Sequence, residues 1–113
     1  MSFKLIRNAR NSLRGLSLVW LHASFALELV IGLPIVFYLF VVREANLASY
    51  FFLISYFVLL SAELLNTAIE RLCDRITTAH DLPIRDIKDI ASAAVFIILI
   101  LNGLFLYLAL SPL

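Results

Sequence analysis

The chain has 113 residues, of which 63% are hydrophobic and only 15% are charged. Together with a mean hydropathy of +1.00, this composition is typical of a membrane protein with a single small domain. The formal net charge is +1, and we expect no nucleic-acid partner. No glycine-rich phosphate loop of the Walker or kinase type occurs, which excludes the soluble nucleotide-binding folds. Cys73 is alone, so no disulfide framework is possible.

Residues 2–21 are predicted to form an amphipathic helix on the membrane surface. Apolar residues recur there at steps of three and four, while Lys4, Arg7 and Arg14 occupy another face. The basic face either anchors anionic lipid headgroups or forms a phosphate-binding lid, and the sequence alone leaves both readings open.

Three apolar segments follow, and each is long enough to cross a bilayer. They are placed at residues 25–42, 46–73 and 89–110, which predicts an all-α membrane protein of one surface helix and three spans within one domain, 1–113. Gly32 and Pro34 are expected to bend the first span. Residues 43–46 form a tight turn, and residues 76–87 are predicted to be a loop in which Pro83 prevents a continuous helix.

Polar residues also occur within the first and third apolar spans. Glu28 either faces the interior of the bundle or lies close enough to the membrane surface to reach water. Asn102 is predicted to be a buried amide that bonds across helices. Asp89 could be a helix cap or part of a site, since it precedes the last apolar run.

The second span continues into a polar stretch at residues 63–75. At about 100° per residue, Glu63, Thr67, Glu70 and Asp74 lie on one helical face, with Asn66 at its edge. Such a stripe is compatible with a polar seam between helices, an ion path, or a site for a divalent cation and a phosphorylated ligand. For phosphoryl transfer, the deeper Glu63 suits a base for a lipid hydroxyl and Glu70 suits the metal.

The basic residues predict the orientation of the chain. Four precede the first span and four lie in residues 71–89, whereas the 43–46 turn holds one. The positive-inside rule therefore places the N-terminus and the 71–89 segment in the cytoplasm and the C-terminus in the periplasm. The acidic stripe then opens toward the compartment that contains ATP.

The pattern Glu-x-x-Asn-x-x-Ile-Glu-x-x-x-Asp-Arg at residues 63–75, followed by Lys88-Asp89 and Ser-Ala-Ala-Val at 92–95, closely resembles the prokaryotic diacylglycerol kinase family. The resemblance covers nearly the whole chain. It implies a homotrimer in the bacterial inner membrane, with sites shared between neighbours. The implied activity is transfer of the ATP γ-phosphate to diacylglycerol with Mg²⁺ as the metal and Mn²⁺ as the alternative. Undecaprenol or another lipid alcohol is the alternative acceptor.

The resemblance also implies roles for individual residues. Glu63 is the expected catalytic base and Glu70 the expected metal ligand, and His22 and Glu28 are candidates for further ligands. The expected nucleotide contacts are Asp74, Lys88, Asp89, Lys4, Asn11, His80 and Asp81, and the expected lipid contacts are Asn66, Ser92, Ser12 and Trp20.

The sequence departs from the family pattern at one metal ligand. The family carries a further glutamate on its N-terminal helix, and this position falls on His22 or Ala23 depending on the alignment. Imidazole is a poor ligand for Mg²⁺ but acceptable for softer metals. A catalytically degenerate binding or scaffold protein is therefore the competing expectation.

Overall fold

The fold is all-α, as predicted. A computed structural model describes residues 2–20, 22–77 and 81–112. Within these ranges the chain forms α1 (Ser2–Val19), α2 (Ala23–Phe37), a π-helical turn (Tyr38–Val42), α3 (Leu47–Ile76) and α4 (Leu82–Leu110), with no strand. Three helical segments are long and apolar enough to cross a membrane, namely Ala23–Val42, Leu47–Ile76 and Leu82–Leu110.

The turn between the first two spans is closed by side-chain hydrogen bonds. Asn46 is the N-cap of α3. Its Oδ1 accepts from the Ser49 backbone N–H at 2.9 Å, and its own backbone N–H donates to the Ser49 hydroxyl oxygen at 3.2 Å. The Asn46 amide also donates to the carbonyl of Ala109 at 3.1 Å, and Arg43 donates to the carbonyl of Leu110 at 3.3 Å. The turn thus holds the end of α4, whose last carbonyls lack helical partners.

α3 and α4 form an antiparallel hairpin that contains most of the core. Leu39, Phe52, Leu59 and Ala109 belong to one buried apolar cluster. Asn102 lies within this hairpin and donates to Ser55 Oγ at 2.7 Å and to the Phe52 carbonyl at 3.2 Å. The predicted bond from a buried amide across helices is confirmed.

α4 begins earlier than the sequence pattern suggested. Residues 82–87 are helical rather than part of a loop, because Pro83 occupies the first turn of α4, where its missing N–H has no partner to lose. Asp89 therefore lies well inside the helix and is not its cap; Asp81 is at the N-cap position without a capping side-chain bond.

α1 and α2 attach to the hairpin mainly through α3. Arg71 of α3 donates to the carbonyl of Leu18 at 3.1 Å, which satisfies a free carbonyl in the last turn of α1. Tyr56 of α3 donates to the carbonyl of Glu28 in α2 at 2.8 Å. Pro34 lies within α2, and the π-helical turn begins directly after α2 ends. The first span therefore changes its helical geometry about one turn after the proline.

Candidate functional site

The polar stripe predicted from the sequence is one continuous face of α3. Glu63 and Thr67 are only 5% and 2% exposed, Glu70 is partly buried, and Asp74 is exposed. We call these four residues the acidic face. Its exposure increases toward the end of α3, so it leads from the buried bundle to the surface.

Glu28 lies against the deep end of the acidic face. Its carboxyl group is within interaction distance of the Glu63 carboxyl, and the two side chains line the same cavity. Each carboxyl group has a buried Oε2 for which the described residues supply no hydrogen-bond partner. The structure therefore decides the alternative left open by the sequence, because Glu28 points into the bundle.

A groove of about 520 Å³ runs from this carboxyl pair between α2, α3 and α4. Apart from the two acids and Asn102, its walls are mostly apolar, and they include Leu59 and Leu106. A side chain added at Gly103 would meet open space. The groove can hold a hydrocarbon chain beside the carboxyl pair.

The outer part of the acidic face is held by two polar contacts. Asn66 donates to Glu70 Oε1 at 3.0 Å, one turn along the same helix, while Asn66 Oδ1 is buried without a partner among the described residues. Lys88 of α4 forms an ion pair with Asp74 at 2.6 Å. A cation from the next helix thus meets the surface end of the acidic face.

A second cavity, of about 530 Å³, separates the surface helix from α3. Ser12 and Gly15 of α1 line it opposite Thr67 and Arg71 of α3. The Ser12 hydroxyl donates to the carbonyl of Asn8 at 2.9 Å, whereas the buried Thr67 Oγ1 has no partner within residues 2–20, 22–77 and 81–112. This places α1 beside the acidic face.

The other predicted site residues are less closely gathered. Asp81 and Asp89 lie on α4 or at its start, in the same part of the chain as Lys88, and His80 lies outside the described residues. Lys4 and Asn11 are on α1, where no described ion pair joins them to the acidic face. Besides Asp74, the exposed members of the predicted set are Lys4, Asn11, Ser12, Trp20, Asp81, Asp89 and Ser92.

Oxygen atoms of one or two carboxylates, together with substrate phosphates, commonly hold Mg²⁺, and Glu70 offers an oxygen of this type. The carboxyl pair lies about 10 Å deeper along the axis of α3. No group of three or more His, Cys, Asp or Glu side chains able to hold a metal occurs in the described part of the chain. His22 is partly buried just before α2, and its Nδ1 has no hydrogen-bond partner among the described residues. Its side chain offers a nitrogen atom and not a carboxylate.

Two residues that organise the site were not identified from the sequence. Tyr56 of α3 lies outside the acidic stretch at residues 63–75, and its hydroxyl donates to the backbone carbonyl of Glu28. Arg71 was counted only for the orientation of the chain, and it holds the end of α1. The spacing of Tyr56, Glu63 and Glu70 at seven-residue intervals was the available signal, since it places all three on one face.

These features define an integral membrane protein with an acidic site that runs from the bundle interior to one membrane surface. The family model described as prokaryotic diacylglycerol kinase matches residues 10–110, and the chain belongs to this family. It is therefore a member of a lipid kinase family, as the motif at residues 63–75 indicated. No curated protein matches the chain.

Proposed function

We propose that this protein is an ATP-dependent lipid kinase that converts diacylglycerol to phosphatidic acid. The observation that carries the proposal is the graded acidic face, with an unpartnered Glu63 oxygen at its buried end and the Lys88–Asp74 ion pair at its surface end. A lipid hydroxyl approaches from the bilayer and a nucleotide from water, so a face that joins the two environments suits the transfer.

Glu63 is the proposed general base. It takes the proton of the lipid hydroxyl while that oxygen forms a bond to the γ-phosphorus, and the bond from the γ-phosphorus to the bridging oxygen breaks to release ADP. Burial beside Glu28 keeps water away from the reacting oxygen. Asn66, one turn further along α3, is placed to orient the acceptor hydroxyl through its unpartnered Oδ1.

Glu70 is the proposed ligand of Mg²⁺, and Mn²⁺ is the alternative metal. The bound metal would neutralise charge on the transferred phosphate. Glu70 lies seven residues beyond Glu63, or about 10 Å along the helix axis, so it is closer to water and to an incoming nucleotide. Glu28 and His22 are proposed as additional ligands or as ligands of a coordinated water.

The nucleotide is proposed to bind at the surface end of the acidic face. Lys88 provides a positive charge for the phosphates, and Asp74 holds that charge in place through the ion pair. Asp81, Asp89 and His80 belong to the same end of α4 and the connection before it. Lys4 and Asn11 would contribute from α1 if this helix closes over the phosphates.

The acceptor is proposed to be a membrane lipid that enters from the side. The groove beside Glu28 and Glu63 is mostly apolar, which suits an acyl chain better than a soluble alcohol. Diacylglycerol is favoured over undecaprenol because residues 92–95 and 74–75 follow the diacylglycerol kinase pattern more closely. The further acceptor contacts proposed are Ser92, Ser12 and Trp20.

We also propose an assembly and a location. The chain would act as a homotrimer in the bacterial inner membrane, with its N-terminus and the 71–89 segment in the cytoplasm. The distribution of basic residues supports this orientation, and it brings the acidic face to ATP.

The test is Glu63→Gln in detergent or bicelles, assayed with radiolabelled ATP and a panel of lipids. The amide keeps the shape of the side chain but cannot act as a base, so kcat should fall by about a hundredfold or more. Glu44→Gln is the control, because Glu44 is exposed at the opposite end of α3. Undiminished diacylglycerol phosphorylation by the Glu63→Gln protein would sink the assignment.

A second candidate is a protein that binds lipid or nucleotide without turnover. It is favoured by the absence of a glutamate at His22 and at Ala23, the two positions on which the family's further glutamate can fall, and by the lack of a three-ligand metal group in the described ranges. His22→Glu separates the candidates. A gain in kinase activity supports a weakened enzyme, whereas absence of turnover in both proteins with Mg²⁺, Mn²⁺ and Zn²⁺ supports the binding protein.

A further inference from the structure

The carboxyl pair depends on how α2 sits on α3. Glu28 is supplied by α2 and Glu63 by α3, and α2 makes a much smaller contact with α3 than α4 does. Two neighbouring carboxyl groups repel each other when both are ionised and attract through a hydrogen bond only when one is protonated, so the pair alone does not fix the position of α2. Another contact must fix the position of α2.

Tyr56 makes that contact with two residues of α2 that are one turn apart. Its ring fills the space over Gly32, where an added Cβ would overlap the ring. Its hydroxyl donates to the backbone carbonyl of Glu28 at 2.8 Å. This hydrogen bond joins α2 to α3 inside the bundle, where Tyr56 is only 3% exposed.

The placement of Tyr56 on α3 links this contact to the carboxyl pair. Tyr56 and Glu63 are seven residues apart and therefore lie on one face of α3. A slip of α2 by one helical turn would displace Glu28 by about 5 Å along the axis. Such a slip would require the Tyr56 ring to leave Gly32, because neighbouring residues of α2 carry side chains that would occupy its space.

We propose that Tyr56 is a positioning residue that fixes the register of α2 on α3 and so holds the Glu28 carboxyl against Glu63. The assignment of a catalytic consequence rests on the proposed function of Glu63. The register itself rests only on the Tyr56 hydroxyl bond and on the fit of its ring to Gly32.

The first test is a double-mutant cycle between Tyr56→Phe and Glu28→Gln in the kinase assay. Tyr56→Phe keeps the ring and removes one hydrogen bond, so kcat should fall about fivefold to tenfold with an unchanged KM for ATP. In the Glu28→Gln protein the same substitution should have little further effect, because Tyr56 acts through Glu28. Tyr50→Phe is the control, since Tyr50 is exposed on the same helix and no hydrogen bond of its hydroxyl is recorded.

An equal fall in kcat from Tyr56→Phe in the wild-type and Glu28→Gln proteins would overturn the proposal. A proportional rise in the KM for ATP or dissociation of the oligomer would also overturn it. These results would indicate a general loss of structure. Gly32→Ala is the second variant, and it should lower kcat more than Tyr56→Phe because the added methyl group displaces the ring.

The second test measures the register without activity. Spin labels at Val30→Cys and Ile54→Cys, in a Cys73→Ala background, report the distance between exposed positions of α2 and α3. Labelled chains are diluted with unlabelled protein so that distances within one chain dominate. Tyr56→Phe should broaden the distance distribution and Gly32→Ala should shift it.

The two readouts separate the two proposals. An unchanged distance distribution in both variants would overturn the positioning role of Tyr56, whether or not the protein is an active kinase. If the wild-type protein has no lipid kinase activity but the distance distribution changes in the two variants, the register is upheld and the proposed function is overturned.

Discussion

The two ends of the molecule differ in whether their buried polar atoms have hydrogen-bond partners. Near the turn between α2 and α3, and in the middle of the hairpin, buried polar side chains bond to each other or to the backbone, as Asn46 and Asn102 do. At the α1 end, several buried polar atoms have no partner in the described residues. A buried group left without a hydrogen bond costs about 1–3 kcal/mol, so a ligand, a metal or water is expected to complete this end. The atoms are on His22, Glu28, Glu63, Asn66 and Thr67.

At the same scale, Glu70→Ala tests the metal assignment. Removing the carboxylate should raise the Mg²⁺ concentration needed for half-maximal activity at least about tenfold, because one charged oxygen ligand is lost. The measurement is a Mg²⁺ titration at saturating ATP and lipid. An unchanged titration would reject Glu70 as a ligand, and Glu44→Ala serves as the control at an exposed acid.

Lys88→Gln tests the nucleotide end. The change removes a charge-assisted hydrogen bond to the phosphates, so the KM for ATP should rise at least about tenfold while the KM for lipid changes little. Steady-state kinetics with varied ATP measure this split. Arg85→Gln is the control, because it removes an exposed cation of the same helix. A similar rise in the KM for ATP of that variant would show that Lys88 acts through the overall charge and not through a specific contact.

At the scale of the elements, α3 has two different ends. Its start is fixed by the capping box of Asn46 and Ser49 and by the bonds that the turn makes to the last carbonyls of α4. Its far end extends as a polar helix that meets the surface helix through Arg71 and α4 through Asp74. One helix thus joins a structural end to the candidate site.

Asn46→Ala separates stability from function along this helix. The change removes the N-cap and the bond to Ala109, and we expect a loss of about 1–2 kcal/mol in the free energy of unfolding. Because Glu63 is about 25 Å away along the helix axis, kcat at a temperature below unfolding should be unchanged. Unfolding in mixed micelles gives the first quantity and the kinase assay the second.

Asn8→Ala is the control for this prediction, since Asn8 is exposed on α1. An Asn46→Ala protein with the same free energy of unfolding as the wild type would contradict the structural role of the turn. A large fall in kcat at unchanged stability would contradict the separation of the two ends.

At the scale of the whole molecule, the outer surfaces of the spanning helices are apolar. Val30, Phe57 and Ile97 are each more than 60% exposed in the single chain. In a bilayer these side chains face lipid or neighbouring copies, since no water is present to make their exposure costly. The isolated chain therefore has a small buried core for its length, and the membrane is part of its structural environment.

The proposed orientation predicts the location of the C-terminus. A C-terminal alkaline phosphatase fusion should be active, because that enzyme folds in the periplasm, while a fusion at the 76–80 connection should be inactive. The reason is the excess of basic residues before the first span and in residues 71–89. The reverse pattern of reporter activity would place the acidic face outside and remove its access to cytoplasmic ATP.

Much of the architecture follows from local patterns. The three apolar segments and the alignment of Glu63, Thr67, Glu70 and Asp74 depend only on residue type and on the helical period, and the structure has both. The predicted beginning of α4 is wrong because a proline can break a helix or start one. Pro83 lies in the first turn of α4, where proline favours the start of a helix. A local pattern does not specify which of these two effects applies.

Periodicity and hydropathy act between residues close in the chain, so they are enough to identify a membrane protein with an acidic face on one helix. The meeting of Glu28 with Glu63 and the bond from Tyr56 to the backbone of Glu28 are visible only in the folded molecule. Those contacts join residues 28 to 35 positions apart, and they depend on how α2 rests on α3. No helical period encodes that placement; it is set by the fit of the Tyr56 ring to Gly32.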